Sequence, residues 1–279
     1  MRILRYITIA LLIIVTGNSP ARLFSQINMY KYPGNPVFLG GSYDDWDYRV
    51  GKRSIIFDNG KYHLWYKALS NDGNAQMGYA TSEDGIRWEK YHDNPINGGF
   101  GGTGWERLLS HFCVLKHDSL YYLWYLGFPK DPDKGTCIGF AQSVDGLSWE
   151  RLPEPILVPV PEKDRNIMNF GSLSVLYLND KFHMWYTESG GTLNPRVSVL
   201  YISYATSKDG IHWNKHDGNP VFTIESTGLP DDNLVMVNSV VHNGSGFDMF
   251  YSYNNRICWQ IGHATSVDGI NWVDSLKHP

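Results

Sequence analysis

The sequence predicts an all-β protein built as a β-propeller of four-stranded blades. One phrase recurs four times along the 279 residues, at steps of 61, 64 and 59 residues, and no segment after residue 26 shows helical periodicity. Units of about 40–60 residues that are rich in aromatic and β-branched residues are typical of blades arranged around a ring. The composition, with 42% hydrophobic and 19% charged residues, is that of a chain with a real core.

Each repeat contains the same elements in the same order. A β-branched run predicts the first strand, an aromatic run predicts the second, and the phrase Ala-x-Ser-x-Asp-Gly-x-x-Trp predicts the third with the turn that follows it. The aspartate and glycine of this phrase favour a tight turn, to which we assign a structural role. An Asn-Pro or Glu-Pro phrase then predicts the fourth strand of the first three repeats: residues 94–96, 154–157 and 219–222.

The two ends of the chain predict how the ring closes. The last repeat lacks the fourth element, and a matching phrase, Asn35-Pro36-Val37-Phe38, stands near the other end of the chain. We therefore expect the N-terminal segment to supply the outer strand of the last blade, which would close the ring and hide an exposed edge. The prediction is a single propeller domain over residues 26–279.

The first 25 residues have the layout of a secretory signal peptide. A basic start with Arg2 and Arg5 precedes an apolar run from Ile7 to Val15, and small and polar residues follow. This run is shorter than the roughly 20 residues that span a bilayer comfortably. We expect cleavage and a secreted or periplasmic protein with no membrane association afterwards; an uncleaved anchor is the alternative.

Composition narrows the classes of function. A net charge of −4 makes nucleic-acid binding improbable, since that function depends on basic patches. Three widely spaced cysteines, Cys113, Cys137 and Cys258, form neither a disulfide framework nor a zinc motif. We expect no metal, no cofactor and a monomer.

Acidic residues gather at one predicted end of the propeller. We call this end the mouth: first strands begin there, second strands end there and third strands begin there. Asp47, Glu106 and Asp232 each stand seven residues before the Ser or Cys of a first strand, and Glu188 follows the second strand of the third repeat. The mouth should also carry groups that bind substrate: Trp46, Arg53, Trp105, His111, Asn238 and Arg256.

Carboxylates that converge from different blades suit the cleavage of glycosidic bonds. One acid must stay protonated to donate to the leaving oxygen, and another must be ionised. We predict Asp47 as the base, Glu188 as the acid and Glu106 or Asp232 as a modulator, with the tryptophans stacking on sugar rings. The alternative for Asp47 and Glu106 is structural, because a repeated Trp-acid pair can cap a loop in every blade.

The phrase at 54–66, the Ala-x-Ser-x-Asp-Gly phrases and the Asn-Pro-Val-Phe phrases resemble five-bladed propeller glycosidases. These are the arabinanase, levansucrase and invertase type of glycoside hydrolase families 43, 32, 68 and 130, and the resemblance covers about residues 30–279. It implies an exported glycoside hydrolase with a poly- or oligosaccharide substrate. Two departures stand out: four repeats replace five blades, and Lys52-Arg53 occupies the place of the Asp-Pro pair of family 43.

Two other functions stay open. A propeller that binds sugars without cleaving them would explain the missing Asp-Pro base. Phosphorolysis, as in family 130, would use Lys52, Arg53 and His111 to hold phosphate. Export from the cytoplasm argues against phosphorolysis.

Overall fold

The computed structural model describes residues 30, 32–96, 104–131, 134–160, 167–190, 199–228, 234–254 and 258–275. Within this part of the chain sixteen strands form four separate antiparallel sheets of four strands each, so the predicted β-propeller of four-stranded blades is confirmed. Among these residues the one helical segment is a 3-10 turn at Ile224–Thr227. None of their helices is long and apolar enough to cross a membrane.

Every blade is a meander whose strands follow one another from the inner edge to the outer edge. Blade one contains β1 (Arg49–Asp58), β2 (Lys61–Leu69), β3 (Ala75–Ser82) and β4 (Glu89–Lys90). Blade two contains β5 (Leu108–His117), β6 (Leu120–Phe128), β7 (Cys137–Ser143) and β8 (Glu150–Arg151). Blade three contains β9 (Ile167–Leu178), β10 (Lys181–Gly190), β11 (Val199–Ser207) and β12 (Trp213–Lys215). Blade four contains β13 (Leu234–His242), β14 (Phe247–Asn254), β15 (Trp259–Ser266) and β16 (Trp272–Asp274).

The outer strands differ from the prediction in their position. Each one lies at or directly after the repeated tryptophan, and the Asn-Pro phrase follows it. In blade one the Asn94 amide still pairs with the third strand: its Oδ1 accepts from Tyr79 N at 2.8 Å and its Nδ2 donates to Tyr79 O at 2.9 Å. The Asn94 side-chain amide therefore makes the two hydrogen bonds to the third strand that a peptide group of an outer strand would make.

The three interfaces between blades that follow one another in the chain are held together by the same contacts. The second-strand tryptophan of one blade donates Nε1–H to the turn glycine carbonyl of the next, over 2.7 Å in every case. The pairs are Trp65 with Gly146, Trp124 with Gly210, and Trp185 with Gly269. These three indoles are almost completely buried, and full burial of one large apolar side chain contributes roughly 1.5–3 kcal/mol. The blade interfaces therefore contain most of the core.

The interface between blade four and blade one differs from the other three, and we call it the seam. The inner strands β1, β5, β9 and β13 pack in succession, whereas β13 and β1 make no comparable contact among the described residues. Ile261 on β15 is 63% exposed, although the residue at its position is at most 2% exposed in the other blades. Those residues are Met77, Ile138 and Ile202.

The N-terminal segment lies on the blade-one side of the seam. Phe38 contacts Tyr66 and Trp88, with ring centroids 4.8 and 6.1 Å apart. Phe222, at the end of blade three, packs in the same way on Tyr251 of blade four. Phe38 thus covers blade one as the last segment of a preceding blade would. The outer strand of blade four is β16, not the N-terminal segment that the sequence predicts for this place, because residues 272–274 already pair with β15.

Candidate functional site

A pit lies where the four inner strands meet, and backbone irregularities shape it. Near the beginning of each of these strands the register of the inner hairpin shifts, as between Val50 and Arg53 on β1 and between Leu109 and Phe112 on β5. Corresponding shifts occur in blades three and four. A bulge adds a residue to one strand and redirects its side chains, and bulges are common beside active sites. Here they direct different residues from each blade into the pit.

The pit has a volume of about 450 Å³ and receives residues from all four inner strands. Its lining consists of Val50, Gly51, Lys52, Arg53, His111, Phe112, Ser172, Leu173, Val237 and Asn238. Three of these, Arg53, His111 and Asn238, are substrate-binding residues that the sequence predicts. No carboxylate belongs to this described lining, so the pit is basic and apolar.

The cations of the pit are partly desolvated, and Lys52 also repels a lysine beside the pit. Burial lowers the pKa of Lys52 and of Arg53. Burial, followed by repulsion from Lys52, also lowers the pKa of Lys67 on the neighbouring strand β2. Within the described part of the chain, neither Lys52 nor Arg53 has a carboxylate within 4.0 Å. An anion entering the pit would relieve this repulsion.

His111 adds a neutral polar group to the same site. Burial, with smaller effects of Lys52 and Lys67, lowers its pKa from 6.5 to about 3. The ring is therefore uncharged at neutral pH. Its Nδ1 lies 3.3 Å from Ser110 Oγ, which leaves Nε2 available to a ligand. A neutral imidazole can donate one hydrogen bond, for example to a phosphate or sugar oxygen.

Asp47 lies outside the pit lining and anchors a loop. Its side chain is 5% exposed, and its Oδ2 lies 2.6 Å from Lys90 Nζ on the outer strand β4. Its Oδ1 accepts a hydrogen bond from Gly41 N at 3.1 Å. The carboxylate also raises the pKa of the neighbouring Tyr66 hydroxyl, after the larger effect of burial. These contacts join the N-terminal loop to the outer edge of blade one.

Glu106 makes the equivalent contacts in blade two. Its Oε1 pairs with Arg151 on the outer strand β8, and its Oε2 accepts from Tyr125 Oη at 2.6 Å. Trp105 stacks on Tyr125 with ring centroids 5.8 Å apart, and Trp46 packs on Tyr66 at 6.0 Å. The repeated Trp-acid pair therefore fills the same structural position in both blades.

Glu188 completes this series from a different point in the chain. It belongs to β10 and is fully buried, with Oε2 accepting from Ser203 Oγ at 2.7 Å and Oε1 3.9 Å from Lys215 Nζ. Lys90, Arg151 and Lys215 occupy one position, opposite the third-strand alanine. In all three the base stands two residues after the repeated tryptophan, a recurrence in the sequence that indicates one shared role for the three bases.

The structure thus separates the predicted site residues into two groups. Arg53, His111 and Asn238 meet in the pit, whereas Asp47, Glu106, Glu188 and the two tryptophans belong to intra-blade clusters at the outer strands. Asp232 and Arg256 lie outside the described residues. Lys52, named in the sequence only as a departure from the family pattern, is part of the pit lining. The catalytic roles of the acids stay predictions.

Comparison with known proteins supports the resemblance. Residues 113–234 match the model of the glycosyl hydrolases family 32 N-terminal domain. Over 200 residues the chain is 29% identical to a 1,2-beta-oligomannan phosphorylase of Thermoanaerobacter sp. (strain X514). This match spans 68% of the chain but 60% of the phosphorylase, so the chain corresponds to little more than half of that relative.

Solved structures share the fold at low sequence identity. One comes from work on the GH130 family of mannoside phosphorylases, which contains glycoside hydrolases that target beta-1,2 mannosidic linkages in Candida mannan. It has a TM-score of 0.64 and 15% identity, and the match covers 87% of this chain and 77% of that one. A family 117 glycoside hydrolase of Zobellia galactanivorans has a TM-score of 0.61 and 18% identity, covering 85% and 73%. The resemblance to propeller glycosidases that the repeated phrases predict is therefore confirmed.

Proposed function

We propose that the protein transfers a glycosyl group from a saccharide to inorganic phosphate, which the pit holds. The observation that carries this proposal is the set of basic groups in a pit whose described lining contains no carboxylate. In phosphorolysis a phosphate oxygen forms the new bond to the anomeric carbon. The glycosidic C–O bond breaks, and the leaving oxygen takes a proton from an acid of the enzyme. Phosphate is itself the nucleophile, so one carboxyl group suffices.

Hydrolysis makes a different demand on the site. It requires two carboxyl groups on either side of the scissile bond, roughly 5–9.5 Å apart. The three predicted acids that the structure describes are each engaged by a base of an outer strand. Asp232 is the fourth predicted acid and lies outside the described residues, and we propose it as the candidate proton donor. A single donor of this kind is compatible with phosphorolysis.

The pit suits phosphate for electrostatic reasons. Lys52 and Arg53 supply positive charge, and Arg53 can bind two oxygens in a bidentate manner. Neutral His111 and the Asn238 amide can donate to further oxygens or to sugar hydroxyls. Because burial lowers the pKa of Lys52 and of Arg53 and no carboxylate lies in the described lining, a bound dianion would gain more here than at an isolated surface lysine.

A sequence relative indicates the sugar class, and the first 25 residues indicate the location of the protein. The sequence relative is a 1,2-beta-oligomannan phosphorylase by name, so β-1,2-linked mannooligosaccharides are the first substrates to test. We also propose export, on the basis of residues 1–25. An exported enzyme would depend on phosphate outside the cytoplasm.

Product analysis tests the proposal directly. The purified protein is incubated with β-1,2-mannobiose and longer oligomers, with and without phosphate, and products are followed by phosphorus NMR and reducing-sugar assay. We expect a sugar 1-phosphate that forms only with phosphate and is lost in Lys52→Ala/Arg53→Ala. Lys208→Ala, an exposed lysine in an Asp-Gly turn, is the matched control. Phosphate-independent release of reducing sugar would overturn the proposal in favour of hydrolysis.

A second function is favoured by the position of the acids. Since the described lining contains no acid, a propeller that binds carbohydrate without turning it over fits the same pit. Glycan-array binding without either product, unaltered in Asp232→Asn, would select this function and reject phosphorolysis.

A further inference from the structure

The pit is small for an oligosaccharide substrate. Its volume of about 450 Å³ lies in the lower part of the range of ligand cavities, which is roughly 300–1,000 Å³. Phosphate and the sugar unit that reacts would share this space. A longer saccharide must therefore place its remaining units on a surface that continues from the pit.

The seam continues from the pit, because residues of the pit lining contact both of its walls. On blade four the Asn238 amide donates to Ser252 Oγ at 2.7 Å, and Ser252 pairs with Ile261 on the face that points into the seam. On blade one the Arg53 guanidinium lies 5.8 Å from the centre of the Phe38 ring, which covers that wall. Asn238 and Arg53 thus stand where the pit passes into the seam.

The walls of the seam lack contacts that equivalent surfaces have elsewhere. Between blades three and four, Ser174 Oγ accepts from Val240 N at 2.9 Å, and Val240 is 1% exposed. At the seam Ser239 occupies the position of the serine and Ile55 that of the valine. Ser239 is exposed, and Ile55 is 51% exposed. The seam therefore presents accessible polar and apolar groups next to the pit.

Trp259 adds a flat aromatic surface to the blade-four wall. The structure describes all ten tryptophans of the chain, and Trp259 alone among them is exposed, at 49%. It belongs to β15, two strand spacings or about 10 Å from the inner strand, and it lies on the same face as Ile261. Exposed apolar surface beside polar groups is typical of ligand grooves. An indole can stack on the apolar face of a sugar ring, while serine hydroxyls such as that of Ser239 bind sugar hydroxyls.

We propose that the seam binds the part of an oligosaccharide that lies beyond the reacting sugar unit, with Trp259 as its stacking platform. The proposal rests on the carbohydrate substrate of the proposed function, but not on phosphate as the acceptor. It makes the preferred substrate a chain of three or more sugar units, because a disaccharide held in the pit does not extend to Trp259.

Binding as a function of chain length tests the proposal. Isothermal titration calorimetry of the purified protein, without phosphate, compares the dimer, trimer and tetramer of β-1,2-linked mannose. We expect the wild-type protein to bind the tetramer about tenfold more tightly than the dimer, since one aromatic stacking contact contributes on the order of 1 kcal/mol. Trp259→Ala should remove this gain and leave the affinity for the dimer unchanged, and Trp259→Phe should retain part of it. Val144→Ala, at an exposed valine in a turn of blade two, is the control and should behave as the wild type does.

Fluorescence quenching by acrylamide gives a second measurement. The exposed indole of Trp259 should be quenched in the free protein and protected by the tetramer, and this protection should be absent in Trp259→Phe. Equal affinity for all chain lengths, as expected if the seam closes within the molecule, would overturn the proposal. So would a lack of binding at every length, or a length dependence that persists in Trp259→Ala. Absence of a sugar 1-phosphate would reject phosphorolysis alone, because neither measurement requires phosphate.

Discussion

The turn end and the mouth end of the propeller follow opposite rules. At the turn end all four blades repeat one arrangement: the serine Oγ accepts from the glycine N–H, and the aspartate Oδ1 accepts from the two amides beyond the glycine. At the mouth end each inner strand has its bulge, but the residues there differ in every blade. Counted back from the Ser or Cys of each first strand, Lys52, His111, Ser172 and Val237 share one position of the pit lining, and Arg53, Phe112, Leu173 and Asn238 share the next.

The difference separates scaffold from chemistry. In a repeat protein every blade needs the same turn, so a residue that recurs at one position has a structural task to perform. A ligand approaches the axis once and meets each blade from a different side, so the residues that bind it need not recur. The Trp-acid pairs at residues 46–47 and 105–106 recur and make structural contacts, whereas Lys52 and His111 do not recur and line the pit.

The largest expected effect belongs to the repeated core. Trp124→Phe removes the N–H that binds Gly210 O and leaves a small cavity, which should lower the free energy of unfolding by about 2–3 kcal/mol. Trp259→Phe, at an exposed position, is the control and should change stability by less than about 0.5 kcal/mol. Urea denaturation measures both. Equal midpoints would show that the tryptophan hydrogen bonds contribute little.

The pit should produce a pH dependence through His111. Its pKa is lowered to about 3 in the folded protein, so below pH 6.5 the unfolded chain binds a proton that the folded protein does not. Stability should therefore fall as the pH decreases from 6.5 towards 3, with a loss of about 2.7 kcal/mol by pH 4.5. His111→Gln should remove this part of the pH profile in thermal unfolding, and exposed His92→Gln should retain it.

A substitution at Asp47 tests whether this acid has a structural or a catalytic role. Asp47→Asn breaks the pair with Lys90, which is partly exposed, and should cost about 1–2 kcal/mol in unfolding free energy. Turnover per folded molecule should not change. If the variant is stable but has no turnover, Asp47 is the catalytic base that the sequence predicts. Glu188→Gln gives a second test of the same distinction.

The smallest effect on stability is expected at the basic residues of the pit. Lys52→Ala removes a cation that repels its neighbours, so the melting temperature without ligand should stay equal or rise slightly. Phosphate should raise the melting temperature of the wild-type protein, by an amount that follows from its dissociation constant, and should do so less in the variant. Calorimetry with phosphate and with chloride at equal ionic strength measures this difference.

The sequence predicts the fold well because the repeats reveal it. The first three strands of each blade and the structural Asp-Gly turn agree with the structure. The sequence predicts the outer strand several residues too late in each repeat. The Asn-Pro phrases resemble strands because the side chains of Asn94 and Asn219 bind the third strand as an outer strand would. Spacing along the chain brings Asp47 and Glu106 to the mouth. The bases that engage them also recur at a fixed spacing, two residues after Trp88 and Trp149, but only the fold shows that the acids and the bases meet. The pit depends on bulges, which redirect single side chains and leave no periodic signal.

The seam has a consequence for how the protein loses its structure. Among the described residues, blades two and three each pack against a blade on both sides, whereas blades one and four make comparable contacts on one side only, and the tryptophan link stops at Phe250. In an array with nearest-neighbour coupling, opening begins at the terminal units. Native-state hydrogen exchange should therefore be fastest for the amides of β15 and slowest for those of β6 and β10.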